Sequence, residues 1–338
     1  MFSELGDRPM TIESKVSICV PTCNRPDLLV QCIESCLAQT HENLEILIGD
    51  DSPDDRTERL ISERYGRNAR IAYRRNTPAL GQTRNVANLF SRASGDKILL
   101  IHDDDYLVAT AVERMLAQWQ RYPNLDVVFG NQYVVKSDGE VDLAESKSLN
   151  HLFHRDPAAA GLQPLPGRTG IVQMFPNNGW LADAALVKRI DYVSPYDVCC
   201  DFVFGVRLCL AAQRVCYIDE YVSYYRKTAV SVSQATRHTK NASSFAAWLF
   251  LKELKLPPAL EPARALALQR VAPIVVSLYA RNNETLAGLR VLLQSLDAYR
   301  FGLSPRLYYH LLMLWKSAWR LGKRARALPP GSPGKHVS

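Results

Sequence analysis

The chain has no run of 18 apolar residues, and no Gly-x-Gly-x-x-Gly follows its first apolar segment. The first absence argues against a membrane-spanning helix. The second removes the phosphate-binding turn that a nicotinamide-dependent dehydrogenase needs. The Gly-rich loop with Arg and Lys that usually opens a nucleotidyltransferase is missing as well. None of the eight cysteines stands in a Cys-x-x-Cys pair, and several lie in apolar runs such as SICVPTC and VRLCLAAQRVCYI. They read as small buried hydrophobes in a reducing cytosol, not as disulfides; a zinc site from Cys32, Cys36 and His41 rests on spacing alone. Residues 1–14 carry Glu4, Asp7 and Glu13 and no apolar core of a signal peptide, so a polar leader is expected there.

What is present is an ordinary globular composition: 338 residues, 47% hydrophobic and 22% charged. The net charge of +7 is placed unevenly. From Phe301 onward there are seven basic residues and no Asp or Glu, and the rest of the chain balances 34 basic against 34 acidic residues. A neutral body argues against a nucleic-acid coat. The basic tail, with Leu, Trp and Tyr in PRLYYHLLMLWKSAWRLGKRARA, predicts a helix in peripheral contact with an anionic membrane.

Apolar strands alternate with helical periods through the first 135 residues. VSICV (16–20), LEILIGD (44–50), RIAYRRN (70–76), KILLIH (97–102) and VVFGNQYVV (127–135) read as buried strands. Helices are expected from Pro26, from Ser52-Pro53, across 81–95 and across 110–122. That alternation predicts a mostly parallel α/β sheet with helices on both faces, which binds ligands at the carboxyl ends of its strands. Residues 137–168 read as a long loop, 170–235 as less regular α/β structure, and the sequence beyond Asn241 as helical.

Four polar groups fall at those strand ends or helix starts: PTCNR, DDSPDD, GQTRN and HDDD. Three consecutive aspartates, Asp103, Asp104 and Asp105, repel one another unless a cation or donors compensate, and a divalent cation shared with phosphate suits them. The alternative is a solvated acidic turn or a helix cap. Asp50 or Asp51 could accept from a base N–H or a ribose hydroxyl, or cap a helix. Asn24 and Arg25 offer donors, and Gly81 with Arg84 at a helix start favours an anion.

The order and spacing of PTCNR, DDSPDD, GQTRN and HDDD closely resemble the family 2 glycosyltransferases of the GT-A fold, over about residues 15–230 and most strongly over 16–110. The resemblance implies an inverting transfer of a sugar from a nucleotide-sugar, UDP-sugar favoured, to an acceptor hydroxyl in cell-envelope polysaccharide or glycolipid synthesis. A non-catalytic nucleotide-sugar or glycan-binding protein on the same fold is the alternative. It implies a nucleotide pocket from Pro21, Thr22, Asn24, Arg25, Asp51, Arg84 and Asp103, with Asp51 reading a uracil-like base. It also implies Mn²⁺ or Mg²⁺ on Asp104 and Asp105. The register is ambiguous: His102-Asp103-Asp104 also fits, with His102 where the family usually carries Asp. Asp201, opening an apolar helix, matches the general base, with Asp197 beside it. Asn178 and Trp180 in FPNNGWL match the acceptor shelf, where Trp180 either stacks on a sugar ring or is simply core, and Arg226 and Lys227 lie where a late loop would reach the diphosphate. The implied domains are a GT-A unit over 15–235 (nucleotide half 15–135, acceptor half 136–235), a helical subdomain over 240–325 and a flexible basic tail over 326–338. The expected location is cytoplasmic, peripheral at the inner face of the cell membrane.

Overall fold

A computed structural model describes residues 14–227 and 242–327, with side chains as far as Arg320. The polar leader before Ser14, residues 228–241 and the chain beyond Ala327 lie outside the described residues. The chain divides into two compact units, 1–228 and 229–338.

The first unit begins with β1 (Val16–Thr22), α1 (Pro26–Leu37), β2 (Leu44–Asp50), α2 (Arg56–Tyr65), β3 (Ile71–Arg75), α3 (Gln82–Arg92) and β4 (Lys97–Leu100). It continues with β5 (Tyr106–Leu107), α4 (Ala111–Arg121), β6 (Val127–Val135), β7 (Val141–Asp142), α5 (Leu143–Leu152), β8 (Gly161–Leu162) and α6 (Pro166–Ile171). β9 (Trp180–Asp183), α7 (Ala184–Arg189), α8 (Cys200–Ala211) and β10 (Val215–Arg226) complete it. All ten strands join one sheet, whose main path runs β3-β2-β1-β4-β9-β6-β10-β5. Pairing is parallel across β3-β2-β1-β4 and between β6 and β10. β9 departs from the expected parallel pattern by lying antiparallel between β4 and β6, which makes the sheet mixed. Valines, isoleucines and leucines of β1, β2 and β4 are buried and pack with Leu29, Ile33, Val112 and Met115 from α1 and α4. The α/β alternation of the sequence therefore forms because the central strands β1, β2 and β4 are apolar on both faces and their covering helices on one.

Two expectations change. DDSPDD is a turn rather than the start of a helix, and α2 begins at Arg56; Asp50 Oδ1 accepts from Ser52 N–H at 2.8 Å and holds that turn. Residues 137–168 are not an open loop. They contain α5, capped by the Asp142 side chain accepting from Glu145 N–H, together with β7 and β8. The eight cysteines are all free, and seven are buried.

The second unit is helical: α9 (Ser243–Glu253), α10 (Glu261–Arg281), α11 (Thr285–Gln294) and α12 (Pro305–Ala327). Its core gathers Val275, Val276, Leu292, Tyr299, Leu307 and Leu314. Buried His310 is held between the Tyr299 hydroxyl (2.7 Å) and Ser277 Oγ (2.9 Å). Among the described residues no helix is long and apolar enough to cross a membrane.

Candidate active site

Strand register brings the polar motifs to one edge. Thr22 pairs with Asp50, and Cys19 pairs with Leu100. Continued three residues further, the second register sets Thr22 beside Asp103, and the Thr22 hydroxyl donates to Asp103 Oδ2 at 2.7 Å. On the far side of β4, Leu100 pairs antiparallel with Trp180, which carries Asn178 alongside His102. Gly179 makes that approach with φ +72°; a Cβ there would lie 2.6 Å from Ser223 Oγ, so only glycine fits.

On the nucleotide side the polar residues mostly hold one another. Pro21 is a strand residue opposite Gly49. Asn24 takes φ +57°, and its N–H donates to Ser52 Oγ at 2.8 Å. Asp51 is buried, and its Oδ1 accepts from Asn76 Nδ2 at 2.8 Å and from Leu80 N–H at 3.1 Å. Through Oδ1, Asp51 ties the segment entering α3 to β2. Asn85, a residue the motif reading passed over, donates to the Gly49 carbonyl at 2.7 Å and accepts from Asn76 at 3.0 Å. Arg84 is exposed in the first turn of α3, where the helix N-terminus already favours an anion.

The aspartates divide between two sets of partners. Arg25 Nη1 donates to Asp103 Oδ1 at 3.2 Å and to Asp104 Oδ2 at 2.9 Å. Asp105 is buried and accepts from Asn178 Nδ2 at 2.7 Å and from Arg226 N–H at 2.8 Å. Ligand atoms of His102, Asp104 and Asp105 lie within 4.8 Å of one another, which makes these residues a potential metal-holding group. Burial, and then the Asp104 carboxylate, raise the pKa of Asp105; burial also raises Asp103 against the pull of Thr22 and Arg25. Buried Asp105 and its neighbour Asp104 repel one another, and a divalent cation between them would offset that repulsion. Two carboxylates and an imidazole form a donor set that suits Mn²⁺, whereas Mg²⁺ prefers oxygen alone.

Asp201 stands in the first turn of α8 and completes the cluster. The Tyr192 hydroxyl donates to its Oδ1, and His102 Nε2 lies 3.5 Å from the same oxygen. Burial resists ionisation of Asp201, but the charge on His102 and the Tyr192 hydroxyl outweigh it and hold the carboxyl below its usual range. Burial likewise opposes charge on His102, and Asp201, with Asp105 and Asp104, overcomes it and raises the imidazole to about 9. The Asn178 amide anchored on Asp105 also lies 3.2 Å from His102 Nδ1, so Asn178 links the imidazole to Asp105.

Among the residues expected from sequence, Thr22, Arg25, Asp103, Asp104, Asp105, Asn178 and Asp201 meet in this network. Trp180 does not serve as an exposed shelf. It is 1% exposed, with ring centroids of Phe175 and Phe204 5.6 and 5.7 Å from its own, because β9 is an interior strand. Asp197 accepts from the Thr83 hydroxyl at 3.4 Å, outside the cluster. The Lys227 side chain pairs with Glu145, and the Arg226 side chain turns to Gln31. Tyr192 was not legible in the sequence. Nor was Gln132, which lies 3.5 Å from the Asn178 amide oxygen and accepts from buried Arg155 at 3.1 Å.

Residues 17–177 match the family model described as glycosyl transferase family 2. Among curated proteins, the chain is 32% identical over 124 residues to GalNAc(5)-diNAcBac-PP-undecaprenol beta-1,3-glucosyltransferase of Campylobacter jejuni, a match covering 36% of this chain and 39% of that protein. The chain spans about two fifths of the length of such curated relatives. Among solved structures it is similar to S. aureus TarS 1-349 in complex with UDP, with TM-score 0.53 and 16% identity over 85% of this chain and 89% of that one. It is also similar to mannosyltransferase PcManGT from Pyrobaculum calidifontis in complex with GDP-Man and Mn²⁺, with TM-score 0.56 and 12% identity over 91% of this chain and 88% of that one. At these identities the structures share the fold.

Proposed function

We propose that this chain, whose residues 17–177 match the family model of glycosyl transferase family 2, transfers a sugar from a nucleoside-diphosphate donor to an acceptor hydroxyl with inversion. The observation that carries the reading is the grouping of His102, Asp104 and Asp105, with Asp201 held 3.5 Å from His102. It supplies a place for the diphosphate end and a base within one site.

Asp201 is the base. Its depressed pKa keeps it ionised at neutral pH, and it accepts the proton of the acceptor hydroxyl as that oxygen attacks the anomeric carbon. Tyr192 and His102 fix the carboxylate's orientation. His102, Asp104 and Asp105 would hold Mn²⁺ or Mg²⁺, which when bound offsets charge building on the departing diphosphate. Arg84, exposed at the α3 N-terminus, offers that diphosphate a further positive charge. Thr22, Arg25 and Asp103 position the acidic pair, and Asn24 and Asp51 shape the pocket wall. Asn178 orients Asp105 and His102 next to the acceptor side.

A UDP-sugar is the favoured donor, supported by the UDP held in the TarS structure; the GDP-Man of the second structure supports the broader nucleoside-diphosphate class. The acceptor we propose belongs to a cell-envelope polysaccharide or glycolipid, as the name of the C. jejuni relative supports. Free thiols suit a reducing, cytosolic compartment.

The test is sugar transfer itself. UDP-sugars and GDP-sugars are supplied with Mn²⁺ and a lipid-linked oligosaccharide mixture, and released nucleoside diphosphate is measured for the wild type and Asp201→Asn. Release that depends on both acceptor and Asp201 supports the reading. Nucleotide binding without any transfer would leave a nucleotide-sugar-binding protein in its place.

A further inference from the structure

The helix α12 has two unlike faces. Leu307, His310, Leu314 and Ser317 follow one another at i, i+3, i+7 and i+10 and are buried in the helical unit. On the opposite side Tyr308, Leu312, Trp315 and Trp319 recur at i, i+4, i+7 and i+11 and are 64%, 47%, 64% and 55% exposed. Just ahead of the helix, Phe301 and Leu303 are 81% and 84% exposed. Single exposed apolar residues are ordinary, but a continuous stripe with two tryptophans marks an interaction surface.

Charge identifies the occupant. Arg306, Lys316 and Arg320 are exposed on the same helix, and its last turns carry Lys323, Arg324 and Arg326 in sequence. No Asp or Glu occurs from Phe301 to the end. Tryptophan and tyrosine settle at the headgroup level of a bilayer, and a basic flank draws such a helix to anionic lipid. A second copy of this chain is the less fitting partner. A two-fold contact would press the same uncompensated positive surface against itself.

We infer that this face of α12 lies flat on an anionic lipid bilayer, with Tyr308, Leu312, Trp315 and Trp319 in the headgroup layer and Lys316 and Arg320 against lipid phosphates. The 23-residue helix would then cover about 34 Å of membrane surface. This membrane contact does not depend on the reaction proposed above.

The experiment uses the full chain and two kinds of vesicle, phosphatidylcholine alone and phosphatidylcholine mixed equally with phosphatidylglycerol, with binding read by co-sedimentation. The wild type should bind only the anionic vesicles, and added salt should weaken that binding. Lys316→Gln with Arg320→Gln should weaken it about tenfold to thirtyfold, and Trp315→Glu with Trp319→Glu should abolish it. Circular dichroism checks that these exposed changes leave the helices intact. Four results would overturn the inference: no wild-type binding, equal binding to neutral vesicles, unchanged binding by both double variants, or a solution dimer that ignores vesicles and dissociates on Trp315→Glu with Trp319→Glu.

Discussion

Replacing Asp201 by Asn keeps the shape and the acceptor oxygen for the Tyr192 hydroxyl and removes only the charge and the basicity. A positioned general base contributes about 10²- to 10⁴-fold, or roughly 3–5 kcal/mol of barrier. The same change takes away the charge chiefly responsible for raising His102, so the imidazole should titrate lower in the variant. We therefore expect kcat to fall at least about a hundredfold, with nucleoside-diphosphate affinity nearly unchanged. Both are measurable, by coupled detection of released diphosphate and by calorimetry, and the His102 titration can be followed by proton NMR. In the wild type the depressed pKa of Asp201 means the base stays ionised across neutral pH, and its acid limb should lie below the usual carboxylate range. A variant that keeps most of the wild-type kcat would refute the assignment. Equal losses in kcat and nucleotide affinity would make Asp201 a structural residue.

Two further changes test the scaffold. A Cβ at Gly49 would lie 2.2 Å from Asn85 Oδ1, so Gly49→Ala should break the Asn85–Gly49 and Asn76–Asn85 hydrogen bonds. The cost should be about 2–4 kcal/mol, seen as a lower denaturant midpoint; an unchanged midpoint would show that the network is not needed. At Glu45, burial opposes ionisation, but Ser17, Ser94 and Lys15 prevail and lower its pKa to about 2. A depressed folded pKa stabilises above the unfolded value, about 4.3, and that contribution is lost as pH falls towards 2. With partial solvent screening, Glu45→Gln should cost about 1–2 kcal/mol at neutral pH and almost nothing near pH 2. An equal difference at both pH values would contradict the assignment.

The fold was legible where hydrophobic period is a local property. β1, β2 and β4 are apolar on both faces and end in the polar groups that mark the site, so their alternation and the ligand-bearing edge could be read directly. The antiparallel insertion of β9 could not. WLAD is a four-residue segment whose direction is set by pairing with β4 and β6, a long-range choice with no local signature. The same topology decides Trp180, open in sequence between sugar platform and core, in favour of core. The aspartate run stood out because three adjacent carboxylates need an explanation. How it is partnered was hidden, since Arg25, Asn178 and Arg226 reach it from segments far apart in sequence. The partners of Asp51 were hidden for the same reason: Asn76 and Leu80 reach its Oδ1 from about 25 to 29 residues further along the chain.

The central claim is that the aspartate run forms a metal-dependent nucleotide site. Calorimetric titration of UDP into the wild type and Asp104→Ala, with and without Mn²⁺, tests it most directly. The account predicts binding that requires Mn²⁺ and is lost in the variant. UDP binding that is indifferent both to the metal and to the loss of Asp104 would contradict it.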